Sequence, residues 1–259
     1  MSQATVQRIA EIIDAFAPFE TAEEYDNVGI LVGDPDQEVS AILCSLDVTL
    51  DTVLEADRLH AGLIVSHHPL MFHGVKRLVK GQPEAEVLCE LIRRGISLIS
   101  AHTNWDQTVL SGSACVARAI GLDALEQTGY LFTGRFAKPL SATALAKLLR
   151  EAIHAPLRVY GDPDKMISVM SFAGGAYGEG YLEALQCGAQ AYLTGEIRHH
   201  EITDAAARGV VIFEAGHYAS EAPMVPALVS FLQDRLREEN LFCHVIQTSC
   251  VPFTGALDS

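Results

Sequence analysis

Residues 62–106 read GLIVSHHPLMFHGVKRLVKGQPEAEVLCELIRRGISLISAHTNWD. Two short apolar runs, Gly62–Ser66 and Ile96–Ser100, bracket the helix-period segment Glu84–Arg94. Neither run alternates apolar with polar, so each reads as a strand covered on both faces, as in a parallel or mixed sheet flanked by helices. The same alternation spreads outward in both directions. Further strand candidates are Ser40–Leu46, Met166–Phe172, Ala189–Leu193, Val210–Phe213 and Phe242–Gln247. Helix candidates are Leu50–Leu59, Ser113–Ile120, Ala142–Ile153 and Pro223–Glu238, and Val6, Ile9, Ile12, Ile13 and Phe16 mark an N-terminal amphipathic helix. The predicted class is α/β, built as two similar α/β halves with mixed or parallel sheets covered by helices. Gly and Pro break the alternation over Gly129–Pro139, which places the expected domains at 1–128 and 129–259.

Composition narrows the function. The 259 residues are 49% hydrophobic, enough for a large core, and carry a formal charge of −15 from 18 basic and 33 acidic side chains. Nucleic-acid affinity rests on Lys and Arg neutralising phosphates, so neither a nucleic acid nor an anionic membrane is an expected partner. No apolar run approaches the ~18 residues of a membrane span, and Glu11 and Asp14 interrupt the N-terminal segment before it could serve as a signal peptide. Six scattered cysteines without a CxxC pair point to a reducing, cytoplasmic setting.

The histidines are concentrated where strands end. The first quoted strand runs into His67-His68-Pro69 and the second into His102 and Asp106, while the later run VVIFEA leads to His217 and Glu221. In open α/β sheets the carboxyl ends of the strands are where ligands bind. One histidine at such a place reads as a packed, hydrogen-bonded side chain. His67, His68, Asp106, His217 and Glu221, five imidazole and carboxylate groups at three strand ends, read as a metal site, with Zn, Mn, Fe, Co or Ni suited to the mixed donors. If the first strand continues, His67 and His68 point to opposite sides and serve two ions, which Asp106 and Glu221 could bridge at about 3.5–4 Å. Ser220 is expected to cap the helix that follows, with Pro223 in its first turn.

Other candidates carry weaker signals. His102, Glu196, His199 and His200 are candidate proton carriers, with His102 equally readable as a support for a ligand and GEIRHH as a solvated helix start. His73 reads as a loop histidine near the site. The Gly-rich turn FAGGAYGEG, residues 172–180, could cradle a phosphate, although it matches no phosphate-loop pattern and reads first as a tight strand–helix turn.

Six blocks together carry a family resemblance: EEYDNVGILVGD (23–34), SLDVT (45–49), SHHPLMF (66–72), SAHTNWD (100–106), TGEIRHHE (194–201) and EAGHYASE (214–221). In this order the chain resembles the GTP cyclohydrolase 1 type 2 homologues, the NGG-interacting-factor-like family, over its whole length. Tyr25 stands where that family often has Trp, and Trp105 where it often has an aliphatic residue. The resemblance implies two-domain subunits in a toroidal homohexamer, with two divalent metal ions per subunit between the domains. Its ligands match His67, His68, Asp106, His217 and Glu221. The implied reaction is attack of a metal-bound hydroxide on the guanine C8 of GTP with release of formate, and Lys76, Arg77 or Arg198 would meet the triphosphate. The alternatives are a two-metal phosphoesterase or amidohydrolase acting on a small metabolite, and a non-catalytic metal-binding regulatory or interaction protein.

Overall fold

The computed structural model describes residues 2–252. The chain divides into two compact units. The first takes the chain to Thr108 and resumes at Val225, and the second is Val109–Met224.

In the first unit, five strands lie in the order His244–Gln247, Ala41–Ser45, Leu63–Ser66, Ser97–Ser100, Gly29–Val32. The first four run parallel, and Gly29–Val32 is antiparallel at one edge. Ala41–Ser45, Leu63–Ser66 and Ser97–Ser100 are buried at every residue, which is why their sequences do not alternate. Helix Leu50–Arg58 starts with a reciprocal Thr49–Thr52 capping box. Helix Pro83–Arg94 starts on Pro83 and stops at Gly95, whose φ of 63° is a left-handed C-cap. Val53, Ala56, Val87 and Leu91 from these helices pack with Leu43, Ile64 and Leu98 from the sheet.

In the second unit, six strands lie in the order Leu125–Thr128, Leu131–Ser141, Met166–Ala173, Ala191–Thr194, Val211–Glu214, Arg158–Tyr160. The third, fourth and fifth in that order, Met166–Ala173, Ala191–Thr194 and Val211–Glu214, are parallel; the others join antiparallel. The α/β class with mixed sheets is therefore what both units display. Among the described residues no helix is long and apolar enough to cross a membrane, and all six cysteines are free thiols.

The expected boundary at 128/129 is not where the units part. Gly129, with φ of 55°, turns the hairpin that joins Leu125–Thr128 to Leu131–Ser141, so the break in the sequence lies inside a sheet. Pro139 is tolerated because the ladder to Met166–Ala173 loses register between Ile167 and Val169, where residues 136–139 bulge out of pairing. The apolar run 242–247 also resolves into two strands: Leu241–Phe242 pairs with Ser2–Thr5, and His244–Gln247 joins the larger sheet.

Candidate metal centre

Register aligns the ends of the first unit's parallel strands. Ser45 pairs with Ser66 and Ser66 with Ser100, and the Ser66 and Ser100 hydroxyls hydrogen-bond at 2.8 Å. One or two residues past this row come Asp47, His67, His68 and His102. The Nδ1 of His67 lies 2.9 Å from the carbonyl oxygen of Ala101, that of His68 2.8 Å from Asp47 Oδ1, and that of His102 2.9 Å from Asp26 Oδ1. Each partner is an acceptor, so each Nδ1 carries the proton and each Nε2 of a neutral ring presents a lone pair. The ring centroids of His67 and His68 are 5.0 Å apart, those of His67 and His102 5.0 Å, and those of His68 and His102 5.5 Å. One nitrogen from each ring falls within 4.8 Å of the others.

His67 and His68 therefore do not diverge as a continuing strand would make them. The strand ends at Ser66, and the chain turns so that both rings meet. Asp106 Oδ1 stands 3.6 Å from His67 Nε2. It closes the short helix Thr103–Asp106, whose turn is anchored by the fully buried Trp105 against Phe16 at 5.4 Å and Phe231 at 5.6 Å.

The second unit repeats the device. Ala173, Thr194 and Glu214 are in register at three parallel strand ends, and beyond them lie Gly175, Glu196 and His217. The Glu196 amide donates to the Gly175 carbonyl at 2.9 Å, and Gly216 to Gly195 at 3.0 Å. His217 Nδ1 is 2.9 Å from Glu196 Oε1, and its Nε2 is 3.2 Å from Glu221 Oε2, one turn along helix His217–Glu221. With the proton on Nδ1, a lone pair faces a carboxylate, an arrangement that a proton or a cation must bridge. Glycines seat the buried Glu221: a Cβ on Gly175 would lie 2.3 Å from its Oε1, and one on Gly112 2.6 Å from its Cα.

The same contacts agree with the reading of the Gly-rich stretch as a tight strand–helix turn and correct one other reading. The amides of Gly174 and Gly175 are taken by the hydroxyls of Ser113 at 2.7 Å and Ser220 at 3.0 Å, so the Gly-rich turn does not offer them to a phosphate. Ser220 is not a helix cap; it sits inside His217–Glu221 and donates to the His217 carbonyl at 2.7 Å.

The remaining candidates divide. Glu196 holds His217, and His102 joins the imidazole cluster. His199 and His200 lie exposed in the first turn of helix His199–Ala207. His73 is exposed in the loop after Phe72, with the two rings 5.2 Å apart. Arg198 pairs with Glu201 at 3.0 Å and Glu179 at 3.3 Å. The residues the sequence left without a role are Asp26 and Asp47. Burial raises the Asp26 carboxyl, but hydrogen bonds from His102 and Thr103 outweigh it and hold the group well below the usual carboxylate range. Carboxylates and carbonyls behind metal-binding imidazoles are the usual supports of such sites. With imidazole nitrogen and carboxylate oxygen as donors, these residues fit a transition-series divalent ion.

A profile of the Duf34/NIF3 (NGG1p interacting factor 3) family matches residues 4–252. A Streptomyces coelicolor protein named GTP cyclohydrolase 1 type 2 homolog is 33% identical over 97% of this chain and 95% of its own. A Helicobacter pylori protein named GTP cyclohydrolase 1 type 2 is 30% identical over 84% of this chain and 87% of its own. Among solved structures, a Staphylococcus aureus protein superposes with a TM-score of 0.93 at 25% identity, covering 98% of this chain and 99% of that one.

Proposed function

The chain belongs to the Duf34/NIF3 family, and on that premise we propose that it is a metal-dependent hydrolase acting on GTP, as the name of its relatives describes. His67, His68 and Asp106 of the first unit, and His217 and Glu221 of the second, would supply the ligands for two divalent ions drawn from Zn, Fe, Mn, Co and Ni. The observation that carries this reading is the common state of the imidazoles. Ala101, Asp47 and Glu196 take the Nδ1 proton of His67, His68 and His217, which leaves the metal-binding tautomer in every case. Two such ions, when bound, lower the pKa of a water toward ~7 and neutralise charge that develops on the attacked group.

The chain's own groups do the rest. Held by Asp26, His102 presents its Nε2 beside the ligand imidazoles, placed to accept a proton from water and return it to a leaving nitrogen. The overall change is GTP plus water to formate plus dihydroneopterin triphosphate. Lys76 and Arg77, both exposed, are the cations left to meet the phosphates, since Arg198 is engaged by two carboxylates. That scarcity of cations on a chain of charge −15 favours, as a second reading, a phosphoester or amide of lower charge at the same metals. One experiment separates them. Metal-loaded protein is incubated with GTP, and formate and a fluorescent pterin are measured against the His67→Ala and Asp106→Ala variants. Product well above both controls is expected. No excess would end the GTP reading, and turnover in a parallel panel of phosphoesters and amides would install the second.

A further inference from the structure

We propose that Tyr25 and Phe72 form a stacking platform for a planar, N–H-bearing heteroaromatic ring, set beside the imidazole cluster of the first unit. Tyr25 is 63% exposed and Phe72 39% exposed, although both are large rings that ordinarily seek cover. Their centroids lie 6.0 Å apart, and Phe72 is 6.2 Å from the ring of His102, itself 5.0 Å from His67. The two aromatics thus continue the line of imidazoles outward to solvent.

The platform is built rather than incidental: one hydrogen bond joins its two loops, and two more tie the Tyr25 loop to the helix Thr103–Asp106. The Asn27 side-chain amide donates to the Met71 carbonyl at 2.7 Å. The Glu23 amide donates to the Thr103 hydroxyl at 3.0 Å, and the Thr103 amide to Asp26 at 3.0 Å. Order fixed in advance lowers the cost of binding. Glu23 and Glu24 are exposed on the Tyr25 loop, so a ligand edge that donates N–H groups suits it and a phosphate does not. A purine base has both the flat face and the donors.

The assignment rests on the proposed hydrolytic site for its meaning but not for its test. Guanosine, which carries no phosphate, is titrated into the full-length protein, metal-stripped and Zn-loaded, by calorimetry and saturation-transfer NMR. Binding is expected in both forms. Tyr25→Ala and Phe72→Ala should each weaken it roughly 5- to 150-fold, the usual value of one base–aromatic stack, while Tyr25→Trp retains it. Circular dichroism verifies that these exposed substitutions leave the fold intact. Absence of guanosine binding, or equal affinity in wild type and both alanine variants, overturns the proposal. So does a change of oligomeric state in those variants with guanosine affinity unchanged, which would make the pair a contact between copies. Guanosine binding that depends on the pair, without formate from GTP, would leave the platform standing and remove the GTP reading of the hydrolytic site.

Discussion

Asp47 shows how much of a candidate metal centre is decided one residue behind the proposed ligand. Its Oδ1 accepts from His68 Nδ1 at 2.8 Å and so selects the ring tautomer. Asp47→Ala leaves every proposed ligand in place, yet should weaken divalent-ion affinity about 10- to 100-fold, with Asp47→Asn intermediate. Competition against a chromophoric chelator measures it, with the exposed Asp51→Ala as control; equal affinities for Asp47→Ala and control would show that His68 needs no such support. The candidate histidine ligands were legible because histidine past the end of a buried strand is a pattern of sequence alone. Asp47 lies past the end of its own strand in the block SLDVT and obeys the same rule, so its signal was present in the sequence. Asp26 was not legible. It reaches His102 across 76 positions of chain, ahead of an edge strand, Gly29–Val32, that its sequence did not announce.

Among the elements, helix Leu50–Arg58 carries a buried acid with a structural task. Glu55 accepts from the hydroxyls of Thr248 and Ser249 and from the Ser249 amide at 3.1 Å, tying down the segment after strand His244–Gln247. Burial raises its carboxyl, but the hydrogen bonds from Ser249 and Thr248 prevail and the net shift is downward. An unfolded Glu titrates at ~4.3. Between that value and the lower folded one, the unfolded chain binds a proton that the folded chain does not, so stability rises with pH through the window. The contribution is complete above ~4.3 and disappears as pH falls through the folded value. Urea unfolding between pH 6 and 3 should therefore show wild type losing more stability on acidification than Glu55→Gln. Parallel curves would refute the role. Elements like this helix were readable because caps and buried runs are local. The hairpin at 125–141 was not, since Gly129 and Pro139 carry the marks of a linker and only the neighbouring strand, with its bulge, makes them part of a sheet.

For the molecule as a whole, the path of the chain decides which pieces can stand alone. Among the described residues, two apolar clusters of the second unit draw their buried members from residues 116–215, and its six strands all lie between Leu125 and Glu214. A fragment of residues 109–224 thus keeps both of these clusters and should fold, with cooperative thermal unfolding and dispersed amide signals in a heteronuclear NMR spectrum. A fragment of 129–259, cut where the Gly and Pro content suggests, lacks the outer hairpin strand Leu125–Thr128 and removes Val116, Ala117 and Leu122 from the core. It also carries strand His244–Gln247 without its partner Ala41–Ser45. Losing several buried aliphatic side chains at ~2–5 kcal/mol each exceeds much of the ~5–15 kcal/mol by which a domain is stable. The 129–259 fragment should then give collapsed amide dispersion and rapid proteolysis under conditions in which 109–224 is resistant. If 129–259 folds and 109–224 does not, the core has been assigned to the wrong stretch of chain.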